Sequence, residues 1–61
     1  MNLRREALGL LLRNYGSHVN EDGTPEHSPE SIYNCAHDWV SQGNNDIDGL
    51  LEYYQENYKH L

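Results

Sequence analysis

Residues 29–42 read Pro-Glu-Ser-Ile-Tyr-Asn-Cys-Ala-His-Asp-Trp-Val-Ser-Gln, and the fold turns on whether they form a helix. Ile32, Cys35, Ala36, Trp39 and Val40 stand at i, i+3, i+4, i+7 and i+8, the spacing of a helix with one apolar stripe. Ser28 ahead of Pro29 is a helix-start pair: the hydroxyl can cap free N–H groups, and proline's fixed φ suits the first turn. Gly43 closes the segment, since glycine tolerates the left-handed conformation that ends many helices. The pattern predicts a helix over 29–42.

Inside that helix lies the densest set of reactive side chains, Asn34-Cys35-Ala36-His37-Asp38-Trp39. At about 100° per residue, Cys35, Ala36 and Trp39 fall with Ile32 on the apolar side, whereas Asn34, His37 and Asp38 point away. Cys35 and His37 therefore face nearly opposite directions and cannot form a thiolate–imidazolium pair. Cys35 reads as a small core residue, and no catalytic residue is expected anywhere in the chain.

Upstream, residues 16–28 are polar and read as a long loop around the turn tetrad Glu21-Asp22-Gly23-Thr24. Thr24-Pro25-Glu26 is a second helix-start phrase, but a helix opened there would enclose Pro29 and lose a hydrogen bond. It is read as a turn. Before the loop, Asn2 is the predicted N-cap of a first helix over 3–15, with Gly16 at its end. Leu3, Ala7, Leu8, Leu10, Leu11, Leu12 and Tyr15 spread over an arc of about 200° on it. So wide an apolar face suits a central helix or one shared between two chains, and Leu8, Leu11, Leu12 and Tyr15 are the candidate self-association residues for a homodimer.

Downstream, Asn44 or Asn45 is the predicted cap of a third helix over 46–59. Ile47, Leu50, Leu51, Tyr54, Tyr58 and Leu61 repeat the helical spacing, with Asp48, Glu52, Gln55, Glu56 and Lys59 facing water. A connection of two or three residues would make the second and third helices close neighbours. No long run alternates with period two, so the expected fold is an all-α three-helix bundle, a single domain spanning 1–61.

The chain has 61 residues and a formal charge of −6. Arg4, Arg5 and Arg13 against Glu6 leave residues 1–16 locally basic, while everything after them carries nine acids against Lys59. Such a field repels nucleic-acid phosphates and favours a partner with a basic surface. A domain this small ordinarily needs a staple, and a single cysteine excludes an internal disulfide. The start, Met-Asn-Leu-Arg-Arg, loosely imitates a secretory signal, but Gly9, Arg13 and Asn14 interrupt and flank the apolar run wrongly. With no apolar stretch of membrane-spanning length either, the reading is a cytoplasmic protein.

Metal readings are weak at this level. His18, His27, His37 and His60 include no i, i+4 pair, so no zinc site is expected. Asn44-Asn45-Asp46-Ile47-Asp48-Gly49 resembles the opening of an EF-hand calcium loop, but its twelfth position is Gln55 where a bidentate Glu belongs. No metal or cofactor is expected. Five tyrosines in a chain without phenylalanine read equally as boundary packing and as a contact surface.

Residues 29–54, from Pro-Glu-Ser-Ile to Leu-Leu-Glu-Tyr-Tyr with Gly43-Asn44 between, resemble the second and third helices of ubiquitin-associated (UBA-like) domains. The resemblance implies a three-helix fold. It departs at Tyr15-Gly16-Ser17, where that family carries a Met-Gly-Phe type loop. By size, acidity and lack of a catalytic motif the chain also resembles the small early proteins of lambda-like temperate phages. Together these readings give a small acidic protein-binding module, a regulator or inhibitor of another protein such as a host factor. Its candidate contact face is Tyr33, His37, Asp48, Glu52, Tyr53 and Glu56. The alternative is a DNA-binding helix-turn-helix built on the second and third helices, which would place Asp46, Asp48, Glu52 and Glu56 against the phosphates.

Overall fold

The computed structural model describes residues 2–58; the expected positions of Lys59, His60 and Leu61 fall outside them. The architecture is an all-α three-helix bundle of α1 (Leu3–Leu11), α2 (Pro29–Ser41) and α3 (Leu50–Asn57). α1 continues without a break into a wider π-helical turn, Leu12–Gly16. Among the described residues there is no strand, only an isolated antiparallel bridge between Val19 and Pro25. No helix there is long and apolar enough to cross a membrane.

Two of the three predicted helix starts form as the sequence requires. Asn2 Oδ1 accepts from the Arg5 amide at 3.2 Å, and Ser28 Oγ accepts from the amides of Glu30 and Ser31 at 3.1 and 3.4 Å. Each satisfies first-turn donors that have no partner within the helix. Gly43, with φ +91°, ends α2 one residue past its Gln42 cap.

Two boundaries differ from expectation. Gly16 is not a left-handed terminator, because among the described residues positive φ occurs only at Gly23, Gly43 and Gly49. It lies in the π turn with its α-carbon against Leu12, whose Cδ2 would stand 3.0 Å from an added Cβ. The widened turn also leaves the Leu10 carbonyl to accept from Asn14 Nδ2 at 2.8 Å.

The second difference is larger: α3 begins at Leu50 rather than at 46, so the connection runs over 42–49 instead of two or three residues. The cause is tertiary. The Trp39 indole donates to the Asp46 carbonyl at 2.7 Å, and Asn44 Nδ2 donates to the Trp39 carbonyl at 2.8 Å. Asp46 Oδ1 holds the Asp48 amide at 3.1 Å, and Gly49, at φ +85°, turns the chain into α3. Two oxygens of the EF-hand-like stretch, the Asp46 carbonyl and Asp46 Oδ1, are thereby engaged in shaping a turn. Asn44 and Asn45 do not cap α3; its N-cap is Gly49.

The core is Ala7, Leu11 and Tyr15 from the first helical run, Ile32, Cys35, Ala36 and Trp39 from α2, and Leu50 and Tyr54 from α3. Leu11, Ile32 and Leu50 are fully buried, each stabilising the fold by about 1.5–3 kcal/mol relative to exposure. α1 packs against both other helices, so its broad apolar arc reflects a central position. Leu11 and Tyr15 are consumed inside the chain, Leu8 and Leu10 pack partly on the core, and Leu12 is 42% exposed.

Candidate functional site

The loop that separates α1 from α2 is a small hairpin with a defined register. Asn20 and Thr24 close it through Asn20 N–H to the Thr24 carbonyl at 2.8 Å, and Gly23 N–H reaches the Asn20 carbonyl at 3.0 Å. With Gly23 left-handed at φ +88°, Glu21-Asp22-Gly23 is a three-residue loop of turn-plus-bulge type. Asp22 Oδ1 accepts from both the amide and the hydroxyl of Thr24 at 3.0 and 2.6 Å, which holds its carboxyl below the usual range. The same register pairs Val19 with Pro25 and brings the Glu26 amide to the His18 carbonyl at 3.0 Å.

This pairing assembles a cluster that no local spacing announces. Glu26 Oε2 lies 3.6 Å from His18 Nδ1 and 4.0 Å from His27 Nε2. The ligand atoms of His18, Glu26 and His27 all fall within 4.8 Å of one another, the one such group among the described residues. His18 and Glu26 are half exposed, whereas the His27 ring is buried. His27 Nδ1 is 3.2 Å from the buried Tyr54 hydroxyl, and the ring packs edge-on to Tyr15 at 4.8 Å. Histidines in a polar loop are ordinarily solvated; His18 is half exposed, whereas His27 is buried. The signal was present but non-local: a turn centred on Asp22 sets residue 18 opposite residue 26.

Beyond His27 the aromatics form a continuous column. Tyr15 stacks on Tyr54 at 4.6 Å, Tyr54 on Tyr58 at 6.1 Å, and Tyr53 leans on Tyr58 at 6.0 Å and Trp39 at 5.5 Å. Gln55 Nε2 donates to the Tyr15 hydroxyl at 2.9 Å, Gln42 Nε2 to the Tyr53 hydroxyl at 2.7 Å, and the Tyr58 hydroxyl to Asp38. Most of the tyrosines are thus core or boundary residues with satisfied hydroxyls. Tyr33 is the exception at 59% exposure.

The six candidate contact residues do not form one face. Tyr33 lines a shallow groove of about 230 Å³ with Asn2, Arg4, Arg5, Leu8 and Ala36, on the side of α2 that meets α1. His37 is exposed one turn further along that side. Tyr53 reaches the other side of α2, where Trp39 and Gln42 lie. It is half-buried, while Asp48, Glu52 and Glu56 are exposed on α3 or just before it. Cys35 is fully buried, and desolvation, with the nearby Asp38 charge second, pushes its thiol up to about 12. A neutral, water-excluded thiol is no nucleophile at physiological pH.

Comparison with protein-family models, with curated proteins and with solved structures returned no match to this chain.

Proposed function

We propose that the chain is a small protein-binding module, a regulator or inhibitor of another protein, that offers the carboxylates of α3 to a basic partner surface. The observation that supports this is the placement of Asp48, Glu52 and Glu56. All three are exposed and make no ion pair with any described cation; Asp48 lies just before α3, and Glu52 and Glu56 stand one turn apart on it. The like-charged pair Glu52 and Glu56 costs the helix about 0.2–0.5 kcal/mol, a cost that a bound cationic surface removes. The field they set up steers an oppositely charged partner and slows the approach of a nucleic acid. Tyr53 borders this acidic face as an aromatic contact. Tyr33 and His37 lie on the far flank of α2 and are not part of it.

The test is affinity capture from the native cell with the natural chain and a Glu52→Lys/Glu56→Lys variant side by side. The expected result is a protein retained by the natural chain, released by salt, and lost with the variant. Retention that ignores the charge reversal overturns the reading. So does a gel shift showing tight, sequence-specific DNA binding near physiological salt, which would favour the helix-turn-helix alternative.

A further inference from the structure

We propose that His18, Glu26 and His27 form a binding site for a divalent transition-metal ion of the zinc type, which fastens the hairpin to the helical core. Two imidazole nitrogens and one carboxylate oxygen suit zinc and its first-row neighbours, whereas calcium and magnesium call for more oxygen ligands. Tetrahedral zinc with bonds of about 2.0–2.2 Å sets its ligand atoms about 3.3–3.6 Å apart. Glu26 Oε2 stands 3.6 Å from His18 Nδ1 and 4.0 Å from His27 Nε2. The widest separation in the group is within 4.8 Å, and rotation of the two half-exposed side chains, His18 and Glu26, is the movement by which the ligand atoms would draw together.

Three features distinguish the cluster from histidines that merely drift near an acid. The hairpin register fixes His18 opposite Glu26 through the 3.0 Å backbone hydrogen bond. His27 is buried and oriented, packed against Tyr15 at 4.8 Å. With Nε2 directed at the carboxylate, its Nδ1 faces the Tyr54 hydroxyl at 3.2 Å. A metal-bound histidine ordinarily hands its second ring N–H to an acceptor that fixes tautomer and ring plane, and the Tyr54 oxygen is placed to take that proton. The exposed side of His18 and Glu26 leaves the fourth coordination position to water. Bound metal would tie His18, on the first arm of the hairpin, to Glu26 and His27 on the second, where the His27 ring packs at the foot of the aromatic column. That is a local cross-link in a 61-residue chain whose single cysteine can form no internal disulfide. The inference is independent of the partner proposed above.

The test is titration of Zn²⁺ into the full chain, followed by calorimetry and by thermal melting. Saturable binding of one ion per chain and a raised melting temperature are expected, with no response to Ca²⁺ or Mg²⁺. Loss of an outer-shell partner typically weakens a metal site about 10–100-fold. Tyr54→Phe is expected to fall in that range, and His18→Ala or Glu26→Gln beyond it. The last two side chains are solvent-exposed, so both variants should melt as the natural chain does without metal and cannot fail by misfolding. His37→Ala and His60→Ala should bind as before. Absence of saturable zinc binding, or full affinity in His18→Ala or Glu26→Gln, overturns the proposal.

Discussion

At Cys35 and Tyr54, exclusion of water favours the neutral acid. The Cys35 thiol is raised from 9.0 to about 12; the Tyr54 phenol is raised from 10.0, first by burial and then by Cys35 and Tyr15. Below about pH 8 both groups are neutral in the folded and unfolded chains, and their contribution to stability is complete. As pH rises from about 8 towards 12 the unfolded chain ionises first, so stability is progressively lost. Their ionisation is expected to leave the melting temperature unchanged from pH 7 to about 8 and to lower it above that, and Cys35→Ala should blunt the first part of that fall. At neutral pH the same substitution should lower stability by about 1 kcal/mol, as a small core truncation does, without abolishing partner binding. Loss of binding in a folded Cys35→Ala chain would return a role to the thiol. Helical phase alone was enough to place Cys35 inward. Nothing local to Ser-Pro-Glu or to His27 indicated that its ring would be buried.

At the scale of elements, glycines separate what helix propensity controls from what packing controls. Gly9 lies inside α1, and a Cβ there would meet only the flexible end of Arg13 at 3.3 Å. Gly9→Ala is expected to stabilise the chain by about 0.5–1 kcal/mol. Gly49 is left-handed at φ +85°, and a Cβ there would stand 3.5 Å from the Trp39 ring. Gly49→Ala is expected to destabilise by about 1–2 kcal/mol; an unchanged denaturation midpoint would mean that α3 can start earlier, at 46. Ser28→Ala removes the hydroxyl that accepts from Glu30 and Ser31 and should cost about 1 kcal/mol. Urea denaturation measures all three. The α2 start was legible because its cap and proline act on adjacent residues. The α3 start was not, because Asp46 and Asp48 around Ile47 suit a first turn until the Trp39 indole takes the Asp46 carbonyl.

At the scale of the molecule, the leucine-rich helix spends its face internally. Leu11 and Tyr15 are buried within one chain, and Leu12 with part of Leu3, Leu8 and Leu10 remains outside. That remnant is small for a stable interface, which needs about 800 Å² from each partner. Sedimentation at tens of micromolar is expected to give a monomer. A dimer would require α1 to exchange its internal contacts for contacts with a second copy, and Leu12→Gln should then restore the monomer.

The sequence by itself determined the all-α class, α2 with its cap and end, the turn at Glu21-Asp22-Gly23, and the inward placement of Cys35 and Trp39. Each depends on residues within about two helical turns of one another, where backbone geometry converts spacing into direction. The tertiary structure alone decided three things: the turn over 44–49, the separation of Tyr33 and His37 from the acids of α3, and the meeting of His18, Glu26 and His27. Those arrangements rest on contacts between elements, Trp39 with Asp46, α2 with α1 and His27 with Tyr54, and such contacts exist only once the core has closed around them.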